Sequence, residues 1–244
     1  LALPYFNTGG IMNILTISAH PDDVELNCAG TLVKFKNAGH SISMAILCNG
    51  DKGHFEIKSK ELAEIRKKEA EESAKILGAQ IFVGLFPDLG LHINKESVDK
   101  VVDVIRQVDP DIIITHSPDD YMVDHVNTGR VAIDASFCAT LPNYETKIKK
   151  YTKLVPIFFM DISSGVNFQP TEYVDITEEM PIKERMLRCH QSQYTWLKEH
   201  DGIDYVEFMK ELSKIRGTQC GVKYAEGFRQ HLVWGRIKPY RLLP

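Results

Sequence analysis

The chain has no C-x-x-C pair and only five cysteines: Cys28, Cys48, Cys138, Cys189 and Cys220. An odd number without close spacing argues against a disulfide framework, so a reducing, cytoplasmic location is expected. No apolar run comes near the roughly 18 residues of a membrane span. Neither charge sign is in excess, because 29 basic and 33 acidic side chains leave a formal net charge of -4. That balance gives no electrostatic reason to expect nucleic acid or an anionic membrane as a partner. Repeats, low-complexity tracts and linkers rich in proline, glycine or serine are also missing, so one domain is expected over residues 12–244. Residues 1–11 lack the basic start and apolar segment of a signal peptide and read as a leader or an expression remnant.

What is present is a regular alternation of strand and helix patterns. Asn13–Ser18 reads as a buried strand, followed by a helix over residues 25–38 that Gly39 can end. Residues 41–47 read as a second strand, Ser59–Leu77 as a long charged helix closed by Gly78, and residues 81–85 as a third strand. A helix over residues 97–108 precedes Ile112–Thr115, a β-branched run suited to a buried parallel strand. Another helix is expected near residues 126–137. Later segments are less regular, with strands over 154–160 and 173–176 and helices over 181–190 and 207–215. This rhythm predicts an α/β fold, Rossmann-like, with a mostly parallel sheet flanked by helices on both faces. Right-handed crossovers would gather the loops that begin near His20, Asn49, Phe86 and His116 at one edge.

Chemistry concentrates in two of those loops. His20-Pro21-Asp22-Asp23 follows the first strand, and Asp119, Asp120, Asp124 and His125 follow the Ile-rich strand. His20 and Asp23 could hold a metal ion, and His125 is the best third ligand. One carboxylate and two imidazoles leave an open coordination position, as in catalytic zinc sites, where a coordinated water has its pKa lowered to about 7. If Asp23 reaches the metal, Asp22 points elsewhere in the cavity and suits a general base. The plainer alternative is that Asp22 or Asp23 simply caps the following helix.

His20-Pro21-Asp22-Asp23-Val24-Glu25-Leu26 with Cys28-Ala29-Gly30-Thr31 resembles the signature of the LmbE-like (PIG-L type) N-acetylglucosaminyl deacetylases. Thr115-His116-Ser117-Pro118-Asp119-Asp120 through Asp124-His125 is similar to that family's second motif. Arg66 to Glu69, His190 to Gln193 and Tyr224 to Arg229 resemble its later patterns. The resemblance implies Zn2+ held by His20, Asp23 and His125, with metal-bound water as nucleophile and Asp22 as general base. It also implies removal of an N-acetyl or other N-acyl group from a small amino sugar or glycoside. Asp124 would orient a histidine, and Arg66 would contact substrate, with His190 and Tyr121 as further candidates.

One position departs from the family. A histidine usually stands three residues before the last ligand, where this chain has Met122, which cannot donate a hydrogen bond to an oxyanion. Tyr121, His116 and His231 are candidate replacements. Asn49 and His54 could line the pocket, although a turn role suits them better. Glu226 reads as structural, and Trp196 and Trp234 as packing or interface residues. The alternatives are a non-haem iron enzyme using the same His/Asp/His set and a small-molecule-binding member without catalysis. The expected partner is a small N-acetylated molecule, with a homo-oligomer left open.

Overall fold

The computed structural model describes residues 10–244. The expected leader therefore lies, apart from Gly10 and Ile11, outside the described residues. The centre of the fold is a seven-stranded sheet in the order β3-β2-β1-β4-β5-β7-β6. These strands are β1 (Asn13–Ser18), β2 (Ser41–Cys48), β3 (Gln80–Phe86), β4 (Ile112–Thr115), β5 (Ile157–Met160), β6 (Glu172–Asp175) and β7 (Ala225–Gln230). The first five pair in parallel, and β7 runs antiparallel to both β5 and β6. Parallel pairing requires crossovers. These are supplied by α1 (Asp23–Asn27), α2 (Ala29–Asn37), α3 (Ser59–Leu77), α4 (Lys95–Val108) and α5 (Val123–Cys138). The C-terminal part adds α6 (Met180–Leu187), α7 (Gln191–His200) and α8 (Tyr205–Cys220).

Alternation along the strands builds one core on each face. Ile14, Met44, Ile112, Ile114 and Phe158 join residues of α1, α2, α6 and α8 on one side. Leu15, Ala45, Ile113, Ile157 and Phe159 join α4 and α5 on the other. Both faces are covered, which is why β4 could be an unbroken Ile-Ile-Ile-Thr run and is buried throughout. The order β2-β1-β4 reverses direction at β1, so a crevice opens beyond the carboxyl ends of β1 and β4.

Three local expectations change. The helix expected over residues 25–38 breaks at Cys28, whose φ is -148°. The break frees the N–H groups of Gly30 and Thr31 to donate to the Glu226 carboxylate of β7, at 2.8 and 2.7 Å. Glu226 is itself paired with the buried ammonium of Lys183 at 2.5 Å, so the anion serves the amino end of α2 without being left unpaired. The next helix begins at Val123 rather than near residue 126, which places Asp124 and His125 inside its first turn. Finally α7, unrecognised from its polar sequence, packs beside α3 and α8. Among the described residues no helix is long and apolar enough to cross a membrane.

Candidate active site

β1 and β4 lie side by side, with Ile17 opposite Thr115, so the loops leaving them meet. The loop after β1 turns sharply at Asp22, whose φ of 103° is a left-handed conformation that is rare for a residue with a Cβ. Such backbone strain persists only where surrounding contacts enforce it. Here the Asp23 carboxylate accepts the His20 N–H at 2.6 Å, and Arg66 of α3 donates to Pro21 O at 2.6 Å. Neither aspartate caps α1 through its side chain, so simple helix capping does not account for them.

His20 Nδ1 and His125 Nε2 lie 3.3 Å apart. Asp23 Oδ1 is 3.3 Å from that same His125 nitrogen, and Asp23 Oδ2 is 3.7 Å from His20 Nδ1. Three basic atoms thus converge, all within 4.8 Å of one another. The remote nitrogen of each histidine faces a carboxylate: His20 Nε2 is 3.2 Å from Asp124 Oδ2, and His125 Nδ1 is 3.1 Å from Asp120 Oδ2. Metal-ligating histidines are commonly held this way, with the inner nitrogen left for the ion. Two other groupings are less suited to a cation. In His20–Cys48–Asp88–Asp124, burial pushes the Cys48 thiol well up, so it stays protonated. Both Asp88 oxygens in that group already accept from the backbone of Gly50 and Lys52. In His116–Asp120–His125, the buried His116 imidazole already accepts the N–H of Ala19 at 3.0 Å through Nε2. Its Nε2 rests 3.1 Å from Asp23 Oδ2, beneath the expected ligands.

The charges around this cluster follow from its burial. Burial disfavours a charged His125, but the Asp23 and Asp120 carboxylates outweigh that and raise it to about 10. Burial raises Asp22 to about 6, although the adjacent Arg66 opposes the shift and Asp23 adds to it.

Arg66, Asp22, Asp124 and Tyr121 all border one cavity of about 680 Å3 that also contains His20, Asp23 and His125. They are held in different ways. Arg66 is buried and directed inward: it bonds Pro21 O, Gly50 O at 3.2 Å and Asp22 Oδ2 at 3.2 Å. These bonds shape the turn that carries Asp22. A Cβ on Gly50, at φ +72°, would come within 2.6 Å of the Arg66 guanidinium, so only glycine fits that loop position. His190 lies apart from the cavity. It is fully buried, does not line the cavity, and places Nε2 3.4 Å from Glu25 Oε1. Tyr121 is exposed at the rim. Asp124 holds His20 and also accepts the N–H of Leu89 at 2.8 Å, with Leu89 in a left-handed conformation.

His231 borders a different cavity with Phe137 and Trp234. His54 accepts from the backbone of Glu56 and Ile57 at 3.1 Å, a turn role, and neither it nor Asn49 lines the site. Among the lining residues that were not anticipated there are Trp196 of α7 and Tyr205 and Phe208 of α8. The orienting role of Asp120 also went unforeseen, since nothing in the sequence separates it from Asp119, which pairs with Arg229 at 2.6 Å.

This geometry belongs to a known lineage. The sequence matches the PIG-L family, described as GlcNAc-PI de-N-acetylase, over residues 15–136. It is also 30% identical to a diacetylchitobiose deacetylase of Thermococcus kodakarensis, across 90% of this chain and 83% of that protein. The chain belongs to the PIG-L family. The chain is also similar to the 4-oxalmesaconate hydratase of Pseudomonas putida, 23% identical over 88% of this chain and 87% of that protein. Among solved structures, the N,N'-diacetylchitobiose deacetylase of Pyrococcus horikoshii superposes with a TM-score of 0.78 at 28% identity. That match covers 89% of this chain and 82% of that one. The fold shared with that structure is the α/β sheet described above.

Proposed function

We propose that this PIG-L family member is a zinc-dependent hydrolase that removes an N-acetyl or related N-acyl group from a small amino sugar or glycoside. The observation that carries this reading is the convergence of His20 Nδ1, Asp23 and His125 Nε2, with Asp22 bordering the same cavity but outside that triad. A nitrogen- and oxygen-donor set of this kind suits zinc. A cation held there supplies Lewis acidity toward an amide carbonyl and acidifies a water molecule.

The chain's own residues divide the remaining work. Asp22 is placed to take a proton from the attacking water and return it to the departing amine, a role favoured by a carboxyl that titrates near neutrality. Arg66 fixes Asp22 and its turn, and Asp124 and Asp120 fix the two histidines. The acyl oxygen needs a donor that Met122 cannot be. Tyr205 fits best: it is buried, it lines the cavity, and among the described residues its hydroxyl has no hydrogen-bond partner. Burial, with Asp22 and Asp23 nearby, pushes its phenol well above the ordinary range, so it remains a donor.

Hydration of a carbon–carbon double bond, the activity in the name of the Pseudomonas relative, has less support. A polyacid substrate would need a free cation in the cavity, yet Arg66 is bonded inward and Lys52 pairs with Asp51. A cytoplasmic setting agrees with the sparse cysteines, all five of which are free.

The test is metal quantification followed by acetate release across a panel of N-acetylated sugars, glycosides and amino acids. Release from a sugar by zinc-loaded protein supports the proposal. Oxygen-dependent turnover would select the iron alternative, and metal binding without any turnover would select a binding role.

A further inference from the structure

Part of the cavity lining is built from different chemistry than the triad. Leu26 of α1, Trp196 and Leu197 of α7, Ile203 of the α7–α8 connection and Phe208 of α8 all line it. The polar groups bordering the cavity on these elements are few: the Gln193 side chain, the Trp196 indole nitrogen and the Tyr205 hydroxyl, with Ser163 beyond them. Lys52 and Asp88 also border it but are already engaged, Lys52 with the Asp51 carboxylate and Asp88 with two backbone N–H groups. A second sugar ring would bring several hydroxyl groups, each needing a partner when taken out of water. This wall offers fewer polar groups than a ring has hydroxyls.

The wall is also preformed. Ile203 N–H donates to Leu197 O at 3.1 Å, which closes the connection between α7 and α8. Asp204 then caps α8 by accepting from Val206 and Glu207 at 3.2 and 3.1 Å, and Tyr194 holds Asp204 at 3.1 Å. Trp196 is packed between Phe55, with ring centroids 4.2 Å apart, and a stacked His200 at 4.5 Å. Rigid apolar walls with a few placed polar groups are what small-molecule sites use to hold the apolar part of a ligand.

We infer that the substrate carries an apolar alkyl or aryl group beside its amide, and that this group lies against Leu26, Trp196, Leu197, Ile203 and Phe208. The inference rests on the hydrolase reading for where the amide lies. The apolar group could be either the acyl chain or the aglycone, since both attach to an amide-bearing sugar, and the experiment separates them.

Two substrate series are compared by kcat/KM on zinc-loaded protein. One runs from methyl to hexyl and phenyl N-acetylglucosaminide, the other from N-acetyl to N-hexanoyl on the methyl glycoside. One series should rise by about fourfold for each methylene taken from water, and which one rises identifies the source. Ile203→Asn should lower the hexyl-to-methyl ratio, or its acyl counterpart, several-fold. Flat series overturn the inference, as does a disaccharide that outperforms every apolar substrate.

Binding gives a readout independent of turnover. The chain has two tryptophans, and Trp234 is 92% exposed and borders a separate cavity. In Trp234→Phe protein Trp196 becomes the sole tryptophan and reports on the wall. Hexyl glucosaminide and N-hexanoyl methyl glucosaminide are each titrated against methyl glucosaminide. At least one of the two should bind at least tenfold more tightly and shift the Trp196 emission. Tighter binding with no turnover of any substrate would leave the wall assignment standing and remove the hydrolase reading. Equal binding of all three would remove the wall assignment.

Discussion

Arg66 Nη2 donates to Asp22 Oδ2 at 3.2 Å, and both side chains are about 95% buried, at 5% exposure each. The same nitrogen donates to Pro21 O. One guanidinium therefore holds both the carboxylate and the strained turn that presents it. Removing one member of a buried pair leaves the other charge uncompensated, at a cost of about 3–5 kcal/mol. Arg66→Gln should accordingly lose stability on that scale in denaturant titration, together with most turnover. Arg66→Lys should recover part of the stability but little activity, because an ammonium cannot reach Pro21 O, Gly50 O and Asp22 in one plane. Full activity in either variant would mean that Asp22 needs no such support.

Asp22 and His125 should separate proton transfer from metal binding. Asp22→Asn keeps the size of the side chain and leaves His20, Asp23 and His125 untouched. It should retain near-stoichiometric zinc by elemental analysis while turnover falls by about 10²–10⁴. His125→Ala should lose the metal itself. Zinc-free Asp22→Asn protein, or fully loaded His125→Ala protein, would reverse the two assignments.

Much of this site was legible because its parts sit at strand ends. Asn13–Ser18 and Ile112–Thr115 are unmistakable buried strands, and the polar residues just after them had to lie at one sheet edge. What stayed hidden depends on partners distant in sequence. Nothing near Cys28 announces that α2 will restart there, since the carboxylate that receives its N–H groups comes from Glu226, nearly two hundred residues later. The start of α5 was masked by its own function, because Asp124 and His125 interrupt the apolar period in its first turn. Trp196 and Tyr205 reach the cavity only through the packing of α7 and α8, which no local pattern encodes.

Tyr205 and Tyr121 offer a direct comparison of two candidate donors. Tyr205 is 7% exposed and Tyr121 is 69% exposed, yet both border the cavity. A donor works best where water is excluded, and losing one oxyanion donor lowers kcat by about 10²–10³. Tyr205→Phe should approach that loss with KM little changed, while Tyr121→Phe should change kcat by less than about tenfold. The opposite ranking, measured on the best substrate of the acetate-release panel, would move the donor to the rim.

His40 provides a pH-dependent contribution to stability remote from the site. Its Nδ1 accepts the Met12 N–H at 3.1 Å, just before β1, so the bond exists only while that nitrogen is unprotonated. Burial holds the imidazole below its ordinary value of 6.5, although Asp111 acts in the other direction. With the folded pKa depressed, the unfolded chain binds the proton more readily as pH falls through 6.5. Stability is therefore greatest above that value and declines below it. His40→Gln retains an acceptor for Met12 but has no titrating group. Its unfolding free energy, followed from pH 7.5 to 5, should decline less steeply than that of the parent protein. Parallel curves would show that His40 keeps its solution pKa in the fold.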